Sequence, residues 1–369
     1  MTTSKQYQQI SITEPHIGGR EKAAVSQVLD SGSLIAGAEL KQFEREFAAF
    51  CDTTYGVGTA NGTTAVHAAL EALDIGEGDR VLTTPFSFIG TANAIRLAGA
   101  QPVFVDIDPG TFNLDPEKAE AKIRELGGNV DAIAVVHLYG LPAAMDEFRA
   151  LAEQYDLSLI EDATQAHGAT YRGQPVGSLG DVGCFSFGPA KNITTGEGGM
   201  IVTDDETVAN RARRFINHGR SERKQYESVG HDFRLTDIAA AIGRIQLQRL
   251  PALVDARRQH ANLLRAELAD TSFELPEPSE RAIHVYHQFT IRSRRRDELQ
   301  THLDEFGIDS SVYYPTPIHK QPAYRDISAF MPEAEKAAAE VISVPVHPQL
   351  STKDLKTVVA ALEYFDSYL

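Results

Sequence analysis

The sequence predicts an α/β fold in which a large domain with a mostly parallel, mixed sheet precedes a smaller C-terminal α+β domain. Three observations carry this. Short runs rich in Val, Ile and Phe alternate with amphipathic stretches up to about residue 204, the rhythm of strands crossed by helices. From Leu235 that rhythm gives way to long helical periodicity. A chain of 369 residues, 42% of them hydrophobic, also exceeds what one simple core accommodates.

Taken in order, strands are expected at 79–86, 101–107, 130–140, 157–163, 182–187 and 198–204, with helices at 64–74, 88–98, 115–126 and 143–155. Apolar runs such as "AIAVV" suit strands covered on both faces. Ile238, Ile242 and Ile245 then repeat at helical spacing, and Pro251 is expected to interrupt them before a second helix over roughly 252–268. This sets the domains at 1–250 and 251–369. A strand near 287–293, a helix near 296–306, a strand near 309–314 and a last helix with Leu355, Val358, Val359, Leu362 and Phe365 on one face fill the smaller domain.

Composition narrows the function. A formal charge of -16 repels a phosphate backbone, so nucleic acid is not an expected partner. The opening "MTTSKQYQQISITEP" has no apolar core and no window reaches the roughly 18 apolar residues of a membrane span, so a cytoplasmic protein with no membrane partner is expected. Cys51 and Cys184 have no zinc spacing and read as buried free thiols. His284 and His287 sit in the apolar "HVYHQFTI", where a strand would point them to opposite faces; no metal site is expected.

Two nucleotide motifs nearly match and fail. In "GCFSFGPAKN", Pro189 and Ala190 separate Lys191 from Gly188, and Asn192 stands where a P-loop needs Ser or Thr. In "GVGTANG", glycines 56, 58 and 62 are spaced two and four apart, not two and three. What "TANGTTAVHAAL" offers is Gly62, Thr63 and Thr64 opening an apolar helix, a seat for phosphate. The plain alternative is an ordinary cap on Asn61 or Thr63.

In "IEDATQAHGA", Glu161, Asp162, Gln165 and His167 follow a strand at the ligand-bearing end of the expected sheet. Lys191 comes one strand later, in a chain that uses 11 lysines against 24 arginines. A lysine for a Schiff base, an acid for a pyridinium nitrogen, a phosphate seat and an apolar face, for which Phe88 is placed, together match what pyridoxal phosphate (PLP) chemistry requires.

From "GSLIAGAELKQFEREFAAF" through "TPFSFIGTANAI", "VFVDIDPGTFNLDP", "EDATQAHGA" and "GCFSFGPAKNITTGEGGM" to "GHDFRLTDIAAAIGRIQL" and "YYPTPIHKQPAY", the chain resembles the DegT/DnrJ/EryC1/StrS sugar aminotransferases. The resemblance implies the PLP-dependent transferase fold type I, the aspartate aminotransferase-like fold, acting as a homodimer. It makes Lys191 the Schiff-base lysine, Asp162 the partner of the ring nitrogen and Gln165 a partner near the phenolic oxygen. Phe88 and Thr164 would flank the ring, Thr164 where relatives more often have Ala. Gly62, Thr63, Thr64 and Ser186 would hold the phosphate. Asp232 stands in "GHDFR" where relatives commonly carry Asn reaching across the dimer, so its carboxylate needs a partner such as Arg234. Arg220, Tyr314 and His319 are the implied substrate contacts.

The implied reaction moves nitrogen from L-glutamate to a nucleotide-linked keto sugar for polysaccharide or glycan biosynthesis. The "TTGEGGM" loop resembles enzymes that aminate C4 of 4-keto-6-deoxyhexoses, as in perosamine formation. Amination at C3 stays open within the family. An NAD-linked oxidoreductase and a non-catalytic PLP-binding regulator are the readings of other classes.

Overall fold

The structure, a computed structural model, describes residues 9–221, 223 and 225–368. Its strands are β1 (Tyr55–Thr59), β2 (Arg80–Thr83), β3 (Gln101–Phe104), β4 (Ala132–Val136), β5 (Ser158–Asp162), β6 (Thr170–Tyr171), β7 (Gln174–Pro175), β8 (Val182–Ser186), β9 (Gly199–Thr203), β10 (Ala282–Ile283), β11 (Phe289–Arg292) and β12 (Val341–Val344). The helices are α1 (Gly19–Ser31), α2 (Ala38–Phe50), α3 (Gly62–Ala72), α4 (Gly90–Leu97), α5 (Pro116–Glu125), α6 (Met145–Tyr155), α7 (Glu206–Phe215), α8 (Asp237–Glu267), α9 (Arg296–Glu305), α10 (Pro332–Glu340) and α11 (Thr352–Asp366).

The main sheet has the order β1-β9-β8-β5-β4-β2-β3. Its pairs from β3 to β8 are parallel and β9 pairs antiparallel with both β8 and β1, giving the mixed, mostly parallel sheet expected. Alternation along each strand feeds two cores. Ile133, Val135, Leu159 and Phe185 belong to one apolar cluster, whereas Ala132, Ala134, Ile160 and Cys184 belong to the other. On the second face α3 presents Ala65, Ala68, Ala69 and Ala72, small side chains that let the helix lie close to the sheet.

Gly56 and Gly58 lie inside β1 and do not form a nucleotide-binding turn. A Cβ on Gly56 would fall 2.4 Å from the Glu44 carbonyl oxygen, so that glycine serves the approach of α2.

Pro251 does not break the helix. It is an exposed residue within the single 31-residue α8, whose flanks pack on α1, α2 and α11. That packing holds the helix through the one hydrogen bond a proline removes. The boundary at 250/251 therefore falls inside an element, and we propose it as a change of core instead. Leu250 and Val254 belong to a large-domain cluster, Ala261, Leu264 and Leu268 to the C-terminal one. Ile10 joins the C-terminal cluster too, bridging to Ile308.

Two expected strands differ. At 309–314 only an isolated bridge, Ser311 to Ser343, forms before Pro315 and Pro317. His284 and His287 lie between β10 and β11, not on a strand, because Tyr286 has a positive φ of 46° that ends the alternation.

Candidate active site

A cavity of about 820 Å³ opens where the carboxyl ends of β5 and β8, the start of α3 and the loop before α4 converge with segments 287–288 and 312–314. This is the expected place for a ligand on a parallel sheet. Gly62, Thr63, Thr64, Phe88, Asp162, Thr164, Gln165, Ser186, Lys191 and Tyr314 all line it.

The capping alternative at the α3 start is present, and it does not use up the helix N-terminus. Asn61 is the N-cap: its Oδ1 accepts from the Thr64 N–H at 3.0 Å while Thr64 Oγ1 accepts from the Asn61 N–H at 3.0 Å. Thr64 also donates to the Asn61 carbonyl. That occupies the Thr64 hydroxyl and leaves the first helical N–H groups, of Gly62 and Thr63, without intrahelical acceptors at the positive end of the helix. A Cβ on Gly62 would sit 2.7 Å from Ser186 Cβ and 3.1 Å from Thr164 Cγ2, so only glycine leaves this corner open.

Asp162 ends β5, and alternation turns it to the cavity while Glu161 turns away. Thr91 Oγ1 donates to Asp162 Oδ2 at 2.5 Å and the Thr164 N–H donates to Oδ1 at 3.1 Å. Gln165 is fixed at both ends of its amide, accepting from the Tyr139 N–H at 2.9 Å and donating to Tyr314 Oη at 3.2 Å. Phe88 is 56% exposed, its ring 6.3 Å from that of Tyr314.

Lys191 sits in a loop tied to the end of β8. Thr194 Oγ1 and the Thr195 N–H both donate to the Phe187 carbonyl, at 2.9 and 3.0 Å, and the Lys191 N–H reaches the Gly188 carbonyl at 3.1 Å. Burial depresses the Lys191 amine from its ordinary 10.5 to about 8, against the opposing pull of Asp162 and Glu197. We expect trinitrobenzenesulfonate to label this amine in the cofactor-free protein with a midpoint near pH 8. A midpoint near 10.5, read by peptide mass, would contradict the desolvation argument.

Three expected residues lie outside the cavity. Asp232 is exposed and bound by Arg234, whose Nε and Nη2 donate to Oδ1 and Oδ2 at 2.8 and 2.9 Å. The guanidinium holds its carboxyl below the ordinary range. Arg220 is also exposed, its backbone bridged to Tyr226. His319 is buried, with Nε2 3.1 Å from Glu335 Oε1, because the turn at Ile318–Lys320 folds it toward α10.

Sequence reasoning missed Thr91, His287 and Gln288, all cavity residues. Thr91 follows Phe88 by three positions, a readable signal; His287 was hidden by the positive φ at Tyr286, which ends the strand alternation. Among the described residues no cluster of three or more His, Cys, Asp or Glu is arranged to hold a metal, and no helix is long and apolar enough to cross a membrane.

The profile of the DegT/DnrJ/EryC1/StrS aminotransferase family matches residues 15–363. The chain is 40% identical to a pleiotropic regulatory protein of Geobacillus stearothermophilus, over 98% of this chain and 96% of that one. It is 39% identical to a UDP-N-acetyl-3-dehydro-alpha-D-glucosamine 3-aminotransferase of Acidithiobacillus ferrooxidans, over 92% and 91%. With a GDP-perosamine synthase of Caulobacter vibrioides it shares 37% over 96% and 97%. The crystal structure of S. venezuelae DesV in complex with a ketimine intermediate superposes with a TM-score of 0.91 at 38% identity, covering 95% of each chain. With the profile spanning nearly its whole length and these relatives alike end to end, the chain belongs to the DegT/DnrJ/EryC1/StrS aminotransferase family.

Proposed function

We propose that the chain is a PLP-dependent aminotransferase that takes nitrogen from L-glutamate and delivers it to a nucleotide-linked keto sugar, at C4 of a 4-keto-6-deoxyhexose. It works as a cytoplasmic homodimer in polysaccharide or glycan biosynthesis. One observation carries the reading: a desolvated lysine amine, a strand-end carboxylate and an open helix N-terminus face a single cavity.

The residues fit this cofactor. The corner kept open by Gly62 has the free N–H groups of α3 and the Ser186 and Thr63 side chains around it, the donors a phosphate needs. Asp162, gripped by Thr91 and Thr164, would face the ring nitrogen, and the Gln165 amide, oriented by Tyr139, the phenolic oxygen. Phe88 and Thr164 would flank the ring. When bound, PLP supplies an electron sink beside the nitrogen that is transferred. Lys191 would carry the group and then take up and return the substrate proton at Nζ, a task suited to an amine near 8. Asp232, neutralised by Arg234, would present no net charge to a phosphate in the neighbouring protomer, and Arg220 would reach the same site. Tyr314, on the cavity wall, would contact the substrate.

The "TTGEGGM" loop and the Caulobacter relative support C4; the Acidithiobacillus relative, named for C3, marks the alternative. The test is the visible spectrum of the PLP-loaded protein before and after L-glutamate, followed by a panel of 3-keto and 4-keto nucleotide sugars read by mass. A changed spectrum and an aminated 4-keto sugar are expected. Product from 3-keto sugars alone would move the assignment to C3. A spectrum that ignores every amino donor would favour the regulatory reading, to which the Geobacillus relative points.

A further inference from the structure

Among the described residues that line the cavity, Lys191 is the only lysine and there is no arginine. An amino-acid donor brings at least one carboxylate, which within this chain can be met by neutral donors or by a cation set one layer back. Segment 284–288 supplies both. His287 is buried, and its Nδ1 has no hydrogen-bond partner, which leaves Nε2 as the ring nitrogen that meets the cavity. A buried N–H without an acceptor is costlier than a buried lone pair, so the proton is assigned to Nε2, aimed at the ligand.

Behind this ring lies Arg257 of α8. It is 5% exposed, and its Nη1 donates to the carbonyls of Tyr286 and His287 at 3.2 and 3.3 Å. Its Nε has no partner, and no carboxylate pairs with it among the described residues. A buried guanidinium without an anion is expensive, and burial alone lowers it to about 10. Its positive field reaches His287, which is held neutral first by desolvation and then by Lys191, Arg257, His167 and His284.

We propose that His287, oriented and electrostatically backed by Arg257, seats a carboxylate of the amino donor. The inference rests on the aminotransferase reading but names a contact that the reading does not require. His287 is the binding group and Arg257 the positioning residue, which holds the carbonyls of Tyr286 and His287 and sets a positive charge behind the ring.

The holoenzyme tests this with two probes: L-glutamate in single-turnover donor kinetics, and glutarate, a dicarboxylate without the amine, in calorimetry. His287→Phe is expected to weaken both by at least about tenfold, with the saturating rate changed less than about threefold. His287→Gln, which keeps an N–H near Nε2, is expected to recover most of the loss, and Arg257→Lys to fall between. Unchanged affinities in His287→Phe, equal losses in His287→Phe and His287→Gln, or no glutarate binding to wild type would each overturn the seat. Glutarate bound through His287 by a protein that never exchanges nitrogen would instead sink the aminotransferase reading and leave the seat standing.

Discussion

Lys191→Ala is expected to lower turnover at least about ten-thousandfold, the upper range for a group that moves a proton in the transition state, while the fold stays intact. The two effects separate because the hydrogen bonds of the loop run through its backbone and through Thr194, not through the lysine Nζ. Stability should shift slightly upward. The folded-state value near 8 lies below the ordinary 10.5, so the unfolded chain binds the proton more tightly than the native one. Folding therefore carries a penalty that is fully present below about pH 8, shrinks as pH rises toward 10.5 and is gone above it. Removing the amine removes that penalty. Lys191→Arg separates charge from proton transfer, since a guanidinium keeps the cation but cannot release its proton at neutral pH. It should be as inactive as the alanine variant. Steady-state rates of the PLP-loaded protein, and thermal unfolding of the cofactor-free protein at pH 7 and pH 10, check the two halves. Activity of Lys191→Ala within about a hundredfold of wild type would sink the role given to Lys191.

The features legible in the sequence were those set by local period and spacing. Strand ends placed Asp162 and Gln165, and the cap at Asn61 placed the α3 N-terminus, because alternation and capping are properties of neighbouring residues. Lys191 followed from one strand further on. What stayed hidden depends on tertiary packing or on single dihedral angles. Pro251 reads as a break until α1, α2 and α11 are seen holding α8 on either side of it. The pairing of His319 with Glu335 needs the turn before α10, which no local period announces. His287 reads as half of a strand motif until Tyr286 takes a positive φ. For Asp232, the need for Arg234 was readable two residues away.

Glu161→Gln is expected to be the most destabilising single substitution near the site, by about 3–5 kcal/mol. Glu161 is fully buried, and each carboxylate oxygen accepts two hydrogen bonds. Oε1 receives the N–H groups of Leu179 and Gly180 at 2.7 and 2.8 Å; Oε2 receives that of Gly177 and the His137 Nε2 at 2.9 Å each. The His137 proton is assigned to Nε2 because Nδ1 already accepts from the Ala143 N–H at 3.1 Å. All four groups facing Glu161 are thus donors. A glutamine offers one acceptor oxygen and one NH2, so whichever way it turns, two buried donors meet a third donor and lose their acceptor. The damage should reach function as well, because Glu161 ties the 177–180 turn to the strand whose next residue is Asp162. A falling denaturant midpoint, with PLP affinity lost in step, is the expected result. His137→Gln can still donate one N–H to the carboxylate and should be milder. If Glu161→Gln stays within about 0.5 kcal/mol of wild type, the range of an ordinary surface change, then Glu161 does not hold the turn as a charged acceptor and the buried network is only a packing contact.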